Sequence, residues 1–257
     1  MAAPKVDKIY TAIVLDFETG GLDSKSHGVT QVAMSAVRLD TFEVFANYDS
    51  YIIPYDKVDT GAKKKAVKRK KKVEAELALE FESNLMDYDW KMSTEKIGIS
   101  ENMCKTLGKP LAEVVDDIIE FAKKARLSTA KDAVPIIVGQ NILFDIGFLA
   151  QMFAFTGQKM KGVFHGNEGF MGFIPSTMDT INLGRMLLAH DKLVSSYNLE
   201  TFAEALGIDL FDAHDAAADV EATCDIYRAF AGKMRSGDSG NLSGTKKVKT
   251  REHFRFL

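Results

Sequence analysis

Cysteine is scarce: two in 257 residues, Cys104 and Cys224, far apart and set among apolar neighbours. That excludes a disulfide framework and a cysteine-based zinc site, and both read as reduced core residues. Long apolar runs are missing as well, and with them any segment able to span a bilayer as a helix. The opening residues "MAAPKVDKIYTAIVL" lack the charged, apolar and small-residue order of a secretory signal, so a soluble, intracellular, cytoplasmic protein with no membrane partner is expected. Large net charge is also absent, at −3, but the charge is unevenly placed. Eight of the ten residues in "KKKAVKRKKK" (63–72) are basic, and without them 25 basic residues face 36 acidic ones, a net of −11. A concentrated positive segment thus sits on an acidic body.

With 46% apolar residues, the chain can bury a substantial core. Strand patterns run from Ile9 to Phe17, from Thr30 to Leu39 and through "FANYDSYIIP" to Pro54, an antiparallel meander. Residues from about 56 to 92 read as an insertion carrying the basic run. "SENMCKTLG" and "LAEVVDDIIEFAKKA" have apolar residues at helical spacing, and "VPIIVG" makes the next strand. "LFDIGFLAQMFAF" follows as a helix, then a less regular stretch "TGQKMKGVFHGNEGFMGFIPS". "MDTINLGRMLLAH", "NLETFAEALGI" and "DAAADVEATCDIYRAFAGKM" read as the last helices. Strands first, then alternating strand and helix, predict an α/β fold: a mixed sheet flanked by helices. The expected organisation is one domain over 1–234, with the insertion, and a flexible tail over 235–257 whose "REHFRFL" end could serve as a short docking peptide.

One stretch resists a purely structural reading. In "IVLDFETGGLD" (13–23) two carboxylates, Asp16 and Glu18, lie two residues apart in a strand-like apolar run. Alternation puts them on one face, about 6.6 Å apart along the strand. Burying like charges together is costly unless a cation or strong donors compensate them. The ordinary alternative is a strand ending near Asp16 with both acids in water. Asn141 and Asp145, four apart at a helix start, and His214 and Asp219, around the start of the last long helix, add to the pattern. Taken singly each has an ordinary reading: a helix cap, a surface charge, a turn histidine. Together they fall at the ends of elements that an α/β layout brings into one region.

"DFETGGL", "GQNILFDIGFL" and "HDAAADVEATCDIY", in this order, resemble the three motifs of the DEDDh 3′→5′ exonuclease family, which includes the proofreading epsilon subunit of bacterial DNA polymerase III, ribonuclease T and oligoribonuclease. "MDTINLGRML" and "YNLETFAEALGI" resemble its intermediate segments, so the similarity covers most of 8–231. The five-residue step from His214 to Asp219 marks the histidine subgroup. Departures are Gly20, where many members have a second threonine, Gln140, where a histidine is common, and the basic insertion.

The resemblance implies a ribonuclease H-like fold and a catalytic set of Asp16, Glu18, Asp145, His214 and Asp219. Asp16 would bridge two Mg²⁺ or Mn²⁺ ions, Glu18 and Asp219 would complete the first site, and Asp145 would support the metals. Two such ions about 3.5 to 4 Å apart can stabilise both the entering and the leaving oxygen of a phosphodiester. His214 would take the proton from the attacking water. Thr19, Gly20, Gly21 and Leu22 would hold the terminal nucleotide, Asn141 would fix substrate or geometry, and Phe144 could stack on a base, although its helical spacing to Phe148 favours a core role. The implied reaction frees nucleoside 5′-monophosphates from a 3′ end, with DNA the first choice of substrate. An exoribonuclease trimming RNA and a catalytically silent nucleic-acid-binding module are the alternatives. A DNA polymerase or another replication protein is the candidate protein partner.

Overall fold

The computed structural model describes residues 8–57, 84–130, 132–170, 172–189, 194–210 and 215–236. The basic run 63–72, His214 and the tail from 237 onward therefore lie outside the described residues.

Three strands open the chain: β1 (Thr11–Thr19), β2 (Val29–Arg38) and β3 (Val44–Tyr51). They pair antiparallel in sequence order, as the meander reading requires. β4 (Ile136–Gly139) and β7 (Thr177–Asp179) add in parallel, giving one mixed sheet of order β3-β2-β1-β4-β7. Period-two alternation along β1 sorts its side chains between two cores. Ile13, Leu15 and Phe17 face a layer containing α3 (Leu111–Ala125) and α4 (Leu143–Phe155). Ala12 and Val14 face α5 (Thr180–Leu188), α6 (Leu199–Leu206) and α7 (Ala216–Ser236). Asp16 and Glu18 continue that second row toward the end of the strand.

The helices follow their apolar stripes. In α3, Val114, Val115, Ile118, Phe121, Ala122 and Ala125 are buried at three- and four-residue spacing. α6 starts where the Asn198 side chain accepts from the Thr201 N–H and stops at Gly207, whose φ of 67° suits a residue without a Cβ. α1 (Trp90–Met92), a π-helical turn at Ser93–Ile97 and α2 (Glu101–Leu107) lead from the far side of the insertion into α3.

Three details differ from the sequence reading. The stretch read as irregular holds a hairpin, β5 (Gly166–Gly169) with β6 (Gly172–Pro175). Three glycines in eight residues and few buried side chains leave no apolar period to read there. β7 is hidden at the head of "MDTINLGRMLLAH": it is three residues long, and its Asp179 caps α5 by accepting from the Ile181 N–H. Finally, 84–92, counted with the insertion in sequence, packs on the body. The N–H of Met86 donates to Tyr55, that of Asp87 to Ser26 and that of Asp89 to Gly20, each through a backbone carbonyl, and Met86 is buried.

Candidate active site

β1 outruns its parallel neighbour. Its pairing with β4 ends at Val14 opposite Val138, whereas its pairing with β2 continues past Glu18 opposite Gln31 to Thr19 opposite Val29. The unpaired edge is met by α4, in whose first turn Asp145 accepts the Phe17 N–H at 3.0 Å. On the other side α7 brings Asp219, in its own first turn, to the row of Asp16 and Glu18. One carboxylate oxygen from each of Asp16, Glu18 and Asp219 lies within 4.8 Å of the other two. Glu18 and Asp145 are buried, and Asp16 and Asp219 are partly so.

Such a cluster cannot hold its charges unaided. Burial, then repulsion from Asp219 and Asp215, pushes the Asp16 carboxyl up to about 7. Burial, then Asp16, Asp219 and Asp215, pushes Glu18 up to about 9. Asp145 is raised by burial and by Asp16, against the lowering effect of the Phe17 N–H. Convergent, poorly hydrated carboxylate oxygens with raised proton affinity fit a hard divalent cation, whose charge reverses those shifts. Asp16, Glu18 and Asp219 are the residues that could hold it, with Asp145 beside them.

The turn after β1 is held from within. The Thr19 hydroxyl donates to the Gly21 carbonyl at 2.8 Å, and the Gly20 N–H donates to the Gly28 carbonyl at 2.8 Å. A Cβ on Gly20 would stand 2.6 Å from the Tyr88 ring, and one on Gly21 would stand 2.2 Å from the His27 ring. The two glycines are thus demanded by close approach of the protein's own rings, a requirement that "TGGL" alone cannot assign. Leu22, 86% exposed, projects from this turn. Asn141 is exposed, with a left-handed φ of 53°, and its N–H donates to Asp179 Oδ1 at 3.2 Å. Phe144 is partly buried 5.0 Å from the ring of Phe148, and Phe148 is wholly buried, in line with a core role.

Several residues at the site carry no obvious sequence signal. Tyr88 backs Gly20 and stacks on Trp90, ring centroids 4.7 Å apart. Gln151 on α4 donates to the carbonyls of Ser24 and His27 and accepts from the Tyr55 hydroxyl, which in turn accepts the Val29 N–H. Gln140, where the resemblance expects a histidine, donates to the Tyr197 carbonyl at 2.7 Å and accepts from Thr180, tying β4 to α5. Gln31 could have been suspected, as a long polar residue inside the apolar strand "VTQVAMSAV".

A mixed sheet that gathers carboxylates from β1, α4 and α7 at one end defines a class, the ribonuclease H-like exonucleases. The family model RNase_T, an exonuclease, matches residues 91–227, over half of the chain, and the chain belongs to this family. It resembles the DEDDh 3′→5′ exonucleases. Among curated relatives, DNA polymerase III PolC-type of Clostridium perfringens is 25% identical over 87% of the chain and 11% of its own length. The same protein of Thermotoga maritima is 24% identical over 93% of the chain and 13% of its own length. The chain thus spans about a tenth of these relatives. Among solved structures, exonuclease I superposes with a TM-score of 0.60 at 19% identity, over 90% of this chain and 42% of that one. E. coli exonuclease I in complex with a dT13 oligonucleotide gives 0.58, over 89% and 42%. At such identity these structures speak for the fold. Among the described residues, no helix is long and apolar enough to cross a membrane.

Proposed function

We propose that the chain is a divalent-metal-dependent 3′→5′ exonuclease that hydrolyses phosphodiester bonds at the 3′ ends of DNA and releases nucleoside 5′-monophosphates. The observation that carries the reading is the convergence of Asp16, Glu18 and Asp219 within 4.8 Å, with Asp145 anchored on the same strand. Bound Mg²⁺ or Mn²⁺ supplies Lewis-acid stabilisation of the phosphoryl oxygens and a nucleophile at neutral pH. Asp16, Glu18 and Asp219 hold the metals, with Asp145 supporting them, and His214 accepts a proton from the attacking water. Leu22 stands as an apolar wedge against the terminal base, on a turn kept rigid by Thr19, Gly20 and Gly21, with Asn141 and Phe144 on the α4 side. The domain extends two residues beyond the expected 234, to the end of α7 at Ser236, because Arg235 donates to the Leu39 and Asp40 carbonyls, and the tail follows it. PolC-type relatives make a replication polymerase the first partner to test.

The test is side-by-side digestion of end-labelled single-stranded DNA, duplex DNA and RNA with Mg²⁺, with Mn²⁺ and with EDTA. Stepwise shortening from the 3′ end, with 5′-mononucleotide product and no reaction in EDTA, is expected. Product that survives EDTA, or degradation from the 5′ end, refutes the reading. Faster digestion of RNA than of DNA reassigns the substrate.

A further inference from the structure

Asp16 and Glu18 belong to a central strand, but Asp219 belongs to α7, which among the described residues follows the whole sheet and the other helices in sequence. Three carboxylate oxygens can share a cation only if α7 starts at a fixed height above β1. Hydrophobic packing along α7 sets its distance from the sheet through Val220, Cys224 and Tyr227, but apolar contacts leave sliding along the strand comparatively free. Something directional is needed at the helix start.

Gln31 supplies it. It lies on β2 directly opposite Glu18, so both side chains leave the sheet on the face that α7 covers. It is 3% exposed. Its Nε2 donates to Asp215 Oδ1 at 2.8 Å, and its Oε1 accepts from the Ala216 N–H at 3.4 Å. One amide therefore grips both the carboxylate before α7 and the first N–H of the helix. Asp215 is bound in turn to Asp219, whose N–H donates to the Asp215 carbonyl at 3.0 Å. The grip needs a donor and an acceptor on one side chain, which an amide has and a carboxylate, an ammonium or an aliphatic group lacks. Because Asp215 can only accept here and Ala216 N–H can only donate, the orientation of the amide follows from its partners.

We propose that Gln31 is a positioning residue of the metal centre: by joining the Glu18 position of the sheet to the first turn of α7, it fixes where Asp219 stands relative to Asp16 and Glu18. The inference rests on the metal-site reading above. Loss of partners that orient a ligand typically costs 10- to 100-fold in metal affinity.

The experiment measures Mn²⁺ binding to the full chain by electron paramagnetic resonance of the free ion, together with thermal midpoints in EDTA. Gln31→Met, close in shape and without either bond, should bind Mn²⁺ about tenfold more weakly. Ser35→Ala is the control. Ser35 is also on β2, and its hydroxyl donates to Asn47 Oδ1 at 2.8 Å, so its loss costs a bond on the same strand away from the cluster. Its Mn²⁺ affinity should equal that of the unchanged protein. A second pair is informative even if Gln31→Met fails to fold. Asp215→Asn and Asp215→Ala lose the same charge, but only Asn can still accept from Gln31 Nε2, so Asn should bind Mn²⁺ several-fold more tightly than Ala. Equal affinities in that pair, or a folded Gln31→Met with undiminished Mn²⁺ binding, overturn the inference. If the unchanged chain binds no Mn²⁺ at all, it is the metal-site reading that fails.

Discussion

Glu18→Gln should abolish turnover and yet make the metal-free protein more stable. At an effective dielectric constant of about 20, two unit charges 4.8 Å apart repel by about 3.5 kcal/mol, and oxygens of three carboxylates lie within that distance of one another here. Burial, which disfavours the charged form, and then this repulsion lead the folded protein to take up protons, which is why Glu18 rises from an ordinary 4.5 to about 9. A carboxyl whose folded value is raised contributes no penalty below its unfolded value, and costs stability progressively as pH climbs toward the folded one. At pH 7.5 the interval above 4.5 is about three units, or ~4 kcal/mol as an upper bound. Glutamine imitates the protonated acid and escapes that cost. We expect about 2–4 kcal/mol of added stability in EDTA, which in a domain of this size is a rise of about 5–10 °C in Tm. The advantage should vanish near pH 4.5 and grow toward pH 9, because Glu18 itself titrates across that window. Saturating Mn²⁺ should reverse the order, since the unchanged protein gains binding energy that the variant has lost. Scanning calorimetry at pH 5, 7 and 8.5, with EDTA and with Mn²⁺, makes the check. A Glu18→Gln protein no more stable than its parent in EDTA at pH 8.5 would refute the electrostatic account of the cluster.

Two further outcomes are expected. His214→Ala should lower the rate while leaving Mn²⁺ binding near that of the parent, whereas Asp16→Ala should lose both; calorimetry showing equal metal loss in the two removes His214 from the role of base. Replacing Lys63 to Lys72 by a Gly/Ser linker should weaken single-strand binding at low salt and flatten its log–log salt slope by about 0.7 for each phosphate no longer neutralised, with turnover at saturating substrate nearly kept; an unchanged slope places the run outside the substrate path.

The meander, the major helices and the mixed sheet were legible because each carries a long periodic apolar pattern. β7 and the β5–β6 hairpin were not, being three- and four-residue strands whose identity depends on neighbours distant in sequence. At the site, Asp16 and Glu18 could be picked out because carboxylates in an apolar run have a cost that asks for an explanation, whereas Asp145 and Asp219, each ordinary alone, were picked out by their place at helix starts and by the resemblance to the exonuclease motifs. Their convergence could not be read from spacing: Asp145 and Asp219 reach β1 from helices on opposite faces of the sheet. Gln151, Tyr55 and Tyr88 stayed hidden for a different reason. A buried amide or phenol at strand or helix spacing costs little once bonded, and which groups it bonds is decided by tertiary contacts between segments more than twenty residues apart.

Those hidden residues explain how the acidic centre and the turn beside it form one unit. Asp145 and Gln151 both belong to α4. The first accepts the Phe17 N–H of β1, and the second holds the carbonyls of Ser24 and His27. Gly147, between them on the same helix, has no Cβ where one would stand 3.0 Å from Ser24 Oγ, so helix and turn sit in direct contact. A movement of α4 therefore cannot shift Asp145 without shifting the turn that bears Leu22. Under the proposed hydrolysis at a chain end this coupling would be the useful property, since a scissile phosphate would have to meet the metals while its base meets Leu22, and a misplacement of about 1 Å can cost 100-fold in rate. The same logic accounts for the absence of larger residues at Gly20 and Gly28. Both lie against Tyr88, and a side chain at either would push the turn off the 84–92 segment that supports it from behind.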